Sequence, residues 1–311
     1  MPPLSRAARA TATGVIAILL WSTLALLSVT TRGIPPFETL TISFAVASAA
    51  GLLVLASRGR LGQLRQAPRA WAIGTIGLFS YHALYFTALD HAPPAQAGLI
   101  AYLWPLLIVI FAAFLPGGRL HLRHVAGALM GLTGTILILH GAAASAITGS
   151  TLGYLCALAA AFVWALYSVV NRTISDVPSD LIAGVCGVVA IAGLIVHLAS
   201  EPTVAPDDLQ WLALIGLGIG PVGLAFFAWD DATKHGDLAL LGTLSYAAPL
   251  LSTALLIATG RSPLSLTILA AAVLIVGGAA VSVGFRRRGT VRLSPAPADR
   301  PGGHGPPQGR H

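Results

Sequence analysis

Apolar residues in this chain come in long runs, and the polar and charged residues gather in short segments between them. The runs are roughly 20 residues long, which is the length that an α-helix needs to cross the hydrocarbon core of a bilayer. We expect helices at all of them, because a segment in lipid must satisfy its own backbone hydrogen bonds. The pattern predicts ten spans, at residues 11–31, 37–57, 70–89, 94–114, 125–142, 151–171, 180–199, 209–229, 237–258 and 264–285.

Composition and charge support a membrane protein and argue against other classes. Of the 311 residues, 56% are apolar and only 9% are charged, whereas about a quarter of the residues in soluble domains are charged. The net charge of +7 comes from arginines beside apolar runs, so we expect membrane lipids and a small molecule as partners, and no nucleic acid. Cys156 and Cys186 fall inside predicted spans, and no ligand-spaced cluster or phosphate-binding loop is present, so neither metal nor cofactor is predicted.

The positions of the cations predict an orientation. With ten spans both termini lie on one side, and the loops and ends of that side carry fourteen lysines and arginines up to Arg292, Arg172 and Lys234 among them. The opposite loops carry two, Arg32 and Arg261. Because loops rich in lysine and arginine stay in the cytoplasm, we expect both termini to be cytoplasmic in a multi-pass protein of a bacterial inner membrane.

The two halves of the sequence resemble each other. Matched positions are Trp71 and Trp211, Asp90 and Asp230, Tyr102 and Tyr246, Pro105 and Pro249, and Trp21 and Trp164. Each half has five predicted spans, an odd number, so the second half must be inserted upside-down relative to the first. Inverted repeats are typical of secondary transporters, which bind substrate between the halves near the midplane of the membrane.

These observations predict an all-α polytopic membrane protein of ten transmembrane helices, built as two inverted five-helix repeats. The first repeat comprises residues 1–145 and the second comprises residues 146–288. Residues 289–311 are rich in Pro, Gly and Arg and are predicted to form a disordered cytoplasmic tail. Because one chain carries both repeats, a functional monomer is favoured.

The predicted membrane interior holds aromatic and weakly polar residues and almost no ionised ones. Glu38, Asp90, Asp230, Asp231 and Asp237 all fall at span edges, so no buried carboxylate relay is expected. His82 lies deep in a span, where it could couple transport to pH or could be a neutral histidine with a satisfied hydrogen bond. Both readings stay open.

Several aromatic, hydroxyl and proline positions cluster about ten residues into their spans. An aromatic cavity suits a small amphipathic molecule, and proline frees helical carbonyls for polar contacts. The alternative places the rings in the headgroup belts and makes the prolines simple kinks. The candidate cavity residues are Tyr81, His82 and Tyr85 in the third span, Tyr102, Trp104 and Pro105 in the fourth, Trp164 and Ser168 in the sixth, and Tyr246 and Pro249 in the ninth.

The chain resembles the ten-span members of the drug/metabolite transporter superfamily, whose halves are called EamA domains. Within it, the chain is similar to the YddG-type aromatic amino-acid exporters of bacteria. The resemblance covers residues 11–285 and rests on the two-half layout, on SYHALYFTALDHAPPAQAGLIAYLWPLLIV at residues 80–109, and on LSYAAPLL in the second half. It implies export of amino acids through a central cavity and points to the same candidate residues, Ser168 excepted.

We therefore expect a non-enzymatic exporter of neutral and aromatic amino acids that works by alternating access, as a facilitator. The alternative is an exporter of another small metabolite or a drug, with or without proton coupling. The first span lacks the glutamate that small multidrug exporters of this superfamily carry there, which argues against antiport of drug cations. An intramembrane enzyme would need a reactive set of side chains within the bilayer, and the predicted spans offer none.

Overall fold

The computed structural model describes residues 4–140, 150–260 and 265–283 and is all-helical over them. The predicted boundary between the repeats, at residues 145 and 146, and the predicted tail lie outside the described residues. The first half contains α1 Arg6–Trp21, α2 Leu24–Thr30, α3 Pro36–Ser57, α4 Pro68–His91, α5 Pro94–Ala101, α6 Trp104–Ala112 and α7 Leu122–His140. The second contains α8 Thr151–Val170, α9 Leu181–Ser200, α10 Asp208–Leu217, α11 Ala225–His235, α12 Leu238–Ser245, α13 Ala247–Ala258 and α14 Leu266–Val283.

Eight helical segments among the described residues are long and apolar enough to cross a membrane. Three of them join the consecutive helices α1 and α2, α10 and α11, and α12 and α13, and the others are single helices, α8 with one following turn. Two shorter apolar segments, Gln96–Ala112 and Leu122–Ile138, coincide with the fourth and fifth predicted spans. The chain is therefore a multi-pass membrane protein, and each predicted span contains helix over the residues that the structure describes.

The helix ends follow from local sequence. Proline occupies the first position of α3, α4 and α5, where its missing N–H costs no hydrogen bond. At the start of α10, Asp207 accepts from the N–H of Gln210 while the Gln210 side chain accepts from the N–H of Asp207. This reciprocal pair satisfies two of the free amide groups at the helix start. Gly59 and Gly260 follow helix ends with positive φ, which only glycine adopts without strain.

Three of the long segments and the shorter segment Gln96–Ala112 are interrupted, and each interruption has a chemical cause. The Ser22 and Thr23 hydroxyls donate to the carbonyls of Leu19 and Leu20 where α1 ends. Pro105 and Pro249 lack the N–H that would continue a helix, and α5 and α12 end just before them. A π-helical turn, Gly218–Leu224, contains Pro221 and joins α10 to α11. Each interruption ends one run of helical hydrogen bonds and begins another.

Helices of the two halves pair in a pattern that is unchanged when the halves are exchanged. α3 packs along α9, α6 along α12 and α7 along α14, which pairs the second, fourth and fifth predicted spans with the seventh, ninth and tenth, their counterparts in the second half. Likewise α4 packs along α8, and α1 packs along α11. Most of the helix packing therefore joins one half to the other.

Arginines mark one end of the bundle, here called the basic end. It is the end where α1 and α12 begin and where α6, α8 and α11 end. Arg60 forms an ion pair with Asp180 at 2.6 Å, and Arg69 donates to the hydroxyl of Thr173, so loops of both halves meet there. At the opposite end, the Glu201 carboxylate accepts from the first N–H groups of α3 and contacts buried His197, which ties α9 to α3.

The structure corrects the prediction for Asp230 and Lys234. The drawn spans leave Asp230 at an edge and Lys234 in a loop, but α11 continues to His235 and buries both side chains. Lys234 donates to an Asp230 carboxylate oxygen at 2.7 Å, one helical turn away. Charges that are paired in this way tolerate burial, because each partner offsets part of the other's desolvation cost.

Close packing of α7 on α14 depends on a glycine, which gives a first prediction. A Cβ on Gly127 would collide with the backbone carbonyl of Gly278 and the hydroxyl of Ser282. We expect Gly127→Leu to force the helices apart and to destabilise the protein by about 1–3 kcal/mol. Gly62→Leu is the control, since a Cβ there meets no atom within 4 Å. Thermal unfolding in detergent measures both, and equal transitions would contradict the prediction.

Candidate functional site

A cavity of about 550 Å³ lies between the two halves. It extends from Trp104 and Trp164, near the middle of their segments, toward the end of the bundle opposite the basic end. Helical segments of both halves contribute, and the interruptions at Pro221 and Pro249 both face it. Among the described residues that line it, none is an aspartate, glutamate, lysine or arginine.

Tryptophans close the cavity on the side of the basic end. Trp21, Trp104 and Trp164 all line it, and their ring centroids lie 5.6 to 6.3 Å apart. Trp229 packs beneath them, 5.0 Å from Trp21 and 1% exposed. The Trp21 indole N–H donates to the carbonyl of Pro221 at 3.0 Å, a carbonyl in the π-helical turn. Most of these ring pairs are edge-to-face, Trp21 and Trp229 are tilted, and Trp164 and Trp229 are stacked; edge-to-face and offset-stacked pairs are the favoured geometries.

Three polar aromatic side chains of the cavity wall, Tyr81, His82 and Tyr85, come from α4. The Tyr81 and Tyr85 rings are parallel with centroids 6.0 Å apart, because (i, i+4) side chains share one face of a helix. Their hydroxyls and that of Tyr102 have no hydrogen-bond partner among the described residues. By contrast, Ser43 and Thr253 donate their hydroxyl protons to backbone carbonyls of their own helices. The three phenols are therefore available as donors, as are the hydroxyls of Ser28, Thr39 and Ser252, for which no partner is found among the described residues.

His82 has a defined hydrogen-bonding state. Its Nδ1 lies 2.7 Å from the carbonyl oxygen of Leu78, and a carbonyl can only accept, so Nδ1 carries a proton. In a neutral imidazole Nε2 is then an acceptor, and this atom has no protein partner among the described residues. The rings of Phe44, Phe86 and Phe226 surround the imidazole at 5.2 to 6.0 Å. The cavity wall thus presents the Nε2 lone pair of His82, surrounded by aromatic rings.

Seven of the ten sequence-predicted residues line the cavity and three do not. Those that line it are Tyr81, His82, Tyr85, Tyr102, Trp104, Trp164 and Pro249. Ser168 is buried below the tryptophans, where its hydroxyl accepts from the Trp229 indole at 3.0 Å. Tyr246 packs its ring against Gly131 of α7, and Pro105 is buried where its carbonyl approaches Gly242 of α12. These three residues shape the helices behind the wall.

Sequence reasoning missed several wall residues. Trp21 was matched to Trp164 in the duplication, and that match could have placed both in the cavity. Phe86 and Phe226 occupy the same place in YFTALD and AFFAWD and both line the cavity, so the repeat carried this signal too. Phe44 had no such signal, because an apolar residue in an apolar span gives no indication of which side it faces.

Comparisons with known proteins agree with this architecture. The EamA-like transporter family matches residues 9–140 and 151–284. The aromatic amino acid exporter YddG of Ancylobacter novellus is 50% identical over 283 residues, which cover 90% of this chain and 98% of that protein. The protein of the same name from Escherichia coli K12 is 28% identical over 294 residues, which cover 90% of this chain and 99% of that protein. A crystal structure with 50% identity superposes with a TM-score of 0.85 over 88% of this chain and 96% of the other.

Proposed function

The chain belongs to the EamA-like transporter family, and on that premise we propose that it exports aromatic and other neutral amino acids from the cytoplasm. The observation that carries the proposal is the aromatic cavity between the two halves, which contains no formal charge among its described lining residues. Its volume of about 550 Å³ lies within the usual range for small-molecule sites. Relatives named as aromatic amino acid exporters cover nearly the whole chain.

The cavity chemistry suits a zwitterion with an aromatic side chain. Tyr81, Tyr85 and Tyr102 can donate hydroxyl protons to the substrate carboxylate. Nε2 of His82 can accept from the ammonium group, which the surrounding rings also attract through their π faces. Trp104 and Trp164 can stack on the side chain of the substrate. Opposite charges within one substrate reduce its desolvation cost, so a site without ionised residues is sufficient.

We infer that ten helices cross the membrane as two inverted five-helix repeats and that both termini are cytoplasmic in the inner membrane. The exchange-symmetric helix pairing supports the repeats, since a two-fold relation between halves produces such pairing. The clustering of arginines at the basic end supports the orientation. With both repeats in one chain and the cavity between them, a monomer is a complete transport unit and needs no catalytic step.

Transport by this protein is proposed to be facilitated diffusion through alternating access. A carboxylate that could carry a proton through the cavity is absent from its described lining residues. His82 is the titratable group that could couple transport to pH, and its Nδ1 bond to Leu78 supports a neutral hydrogen-bonding role instead. Export of another metabolite or a drug, or proton-coupled export, is the second candidate.

The experiment is uptake of labelled L-phenylalanine into liposomes that hold the purified protein, with and without an imposed pH gradient. We expect saturable uptake that the gradient does not change. Phenyllactate, which lacks the ammonium group, and phenethylamine, which lacks the carboxylate, should each compete at least ten-fold more weakly than unlabelled L-phenylalanine. A ten-fold loss of affinity corresponds to about 1.4 kcal/mol of lost polar contact. Uptake that collapses without the gradient would favour proton coupling, and no uptake of any amino acid would refute the proposal.

A further inference from the structure

A second cavity, of about 740 Å³, lies at the basic end and contributes nothing to the site described above. Its lining is cationic, with Asp237 as the one carboxylate among the described residues that line it. The basic side chains that line it are Arg119, His121, Arg123, His124, Arg172 and His235.

The same helices line the two cavities at different heights. Helices α1, α6 and α11 each contribute residues to both, and α8 reaches the second through the turn that follows it. Trp164 on α8 lines the aromatic cavity, and Arg172 in the turn after α8 lines the basic one. At 1.5 Å per helical residue these positions are roughly 12 Å apart, so about two turns of packed helix separate the cavities.

The barrier between the cavities is held by polar contacts. Residues 168–177, at the end of α8 and in the segment after it, face residues 229–236, at the end of α11 and just beyond it. We call this contact the polar zipper. Asn171, Asp230 and Lys234 within it are 1 to 3% exposed. Its hydrogen bonds join Trp229 Nε1 to Ser168 Oγ, Asn171 Nδ2 to Asp230 Oδ1 and Thr233 Oγ1, Arg172 to the carbonyls of Thr233 and Gly236, Lys234 Nζ to the carbonyl of Val177, and His235 Nε2 to the carbonyl of Ser175.

The zipper joins two helices that otherwise pack on different partners. α8 packs mainly along α4 and α6, whereas α11 packs mainly along α1. The two helices meet chiefly at the end of α8 and the turn that follows it. Separating them would expose groups that water can satisfy, so a polar seal of this kind can open without leaving buried donors or acceptors unpaired.

The basic cavity has groups available for an anionic ligand. Arg119 and Arg123 have no ion-pair partner in the part of the chain that the structure describes. The His124 side chain is buried, with 5% of the residue exposed, and its Nδ1 has no partner among the described residues. A buried polar atom without a partner is rare in folded proteins and suggests that a ligand completes its contacts. Cationic lining also raises the local concentration of anionic groups.

We propose that the basic cavity is the cytoplasmic entrance of the transport path, that it receives the amino acid by its carboxylate, and that the polar zipper is the closed inner gate. This inference rests on the proposed function. In this conformation the aromatic cavity extends toward the far end of the bundle, while the zipper and the tryptophans separate it from the entrance. Opening the zipper would connect the two cavities.

A labelling experiment tests the gate without requiring transport. Ser168→Cys places a thiol inside the zipper, in a chain whose two native cysteines are replaced by alanine. Its reaction rate is measured with the small, membrane-impermeant anionic reagent 2-sulfonatoethyl methanethiosulfonate, in right-side-out and in inverted membrane vesicles. Adding Asn171→Ala should raise the reaction rate of the thiol in inverted vesicles about ten-fold. The reason is that losing a buried hydrogen bond shifts the equilibrium between the closed and the open zipper by about that factor. Arg172→Gln is a second zipper variant, and Glu201→Gln, at the opposite end, is the matched control.

The proposed entrance is tested by comparing the reaction rates of an anionic and a cationic thiol reagent. The anionic reagent should react faster than its cationic trimethylammonioethyl counterpart, each rate being divided by that with free 2-mercaptoethanol. Arg119→Gln with Arg123→Gln should reduce this preference several-fold. The gate is refuted if both zipper variants leave the rate unchanged or raise it equally in both kinds of vesicle. If labelling behaves as expected but no amino acid is taken up, the proposed gate is supported and the proposed substrate is rejected.

Discussion

Trp104→Ala is expected to abolish measurable uptake of L-phenylalanine. The Trp104 ring packs against Trp21, Trp164 and Trp229 at 5.8 to 6.3 Å and is 7% exposed, so its removal opens the base of the aromatic cavity. Truncating a buried aromatic residue costs about 3–5 kcal/mol of packing. Part of that loss falls on the substrate contact, and each 1.4 kcal/mol lost there lowers affinity about ten-fold.

Two variants make this prediction specific. Trp211→Ala removes a tryptophan that is 43% exposed and outside the cavity, so uptake should be unaffected. Trp104→Phe keeps an aromatic ring and should retain a substantial part of the uptake. Thermal unfolding of each variant in detergent separates lost transport from lost folding. Normal uptake by a folded Trp104→Ala protein would show that substrate does not pass this ring.

Lys234→Met is expected to destabilise the protein by about 3–5 kcal/mol, because it leaves the Asp230 carboxylate buried without its cation. Asp230 is 2% exposed and Lys234 is 3% exposed, so water cannot replace the missing partner without disrupting the fold. The Lys234 ammonium also donates to the carbonyl of Val177 at 2.9 Å, a contact that methionine cannot make. The free energy of unfolding, measured by denaturant titration in mixed micelles, gives the effect.

A double variant distinguishes lost charge pairing from lost packing. Asp230→Asn with Lys234→Met removes both charges and keeps an oxygen that can accept from Asn171, so it should recover most of the stability. Arg60→Met is the control, since Arg60 pairs with Asp180 but its side chain is 46% exposed. Exposed pairs of this kind contribute only about 0–1 kcal/mol. A double variant as unstable as Lys234→Met would contradict the argument.

Residue spacing was sufficient to predict the helices and much of the cavity wall. Apolar runs of bilayer length fix the helices, because lipid leaves the backbone few alternatives. Tyr81, His82 and Tyr85 could be placed together because three- and four-residue spacing brings side chains to one helix face. Pro105 and Pro249 marked the interruptions of two spans, since proline cannot continue the backbone hydrogen bonding.

Tertiary contacts determined what the sequence could not show. Asp230 and Lys234 look like edge residues in a hydropathy pattern, and only the contacts from Asn171 and Val177 explain their burial. Tyr102 and Tyr246 are equivalent in the duplication, yet only Tyr102 lines the cavity, because Tyr246 fills the space beside Gly131. Similar local sequences in the two halves thus do not predict equal exposure to the cavity.

The asymmetry of the cavity wall has a consequence for how substrate preference can diversify. By the duplication, Tyr81 and His82 correspond to Pro221 and Val222, which also line the cavity but carry no hydrogen-bonding side chain. At these positions the first half carries hydrogen-bonding side chains, and the second half supplies only shape. Natural or directed evolution of new side-chain preference should therefore accumulate changes around Pro221 and Val222, while changes at Tyr81 and His82 would alter the class of molecule that is accepted.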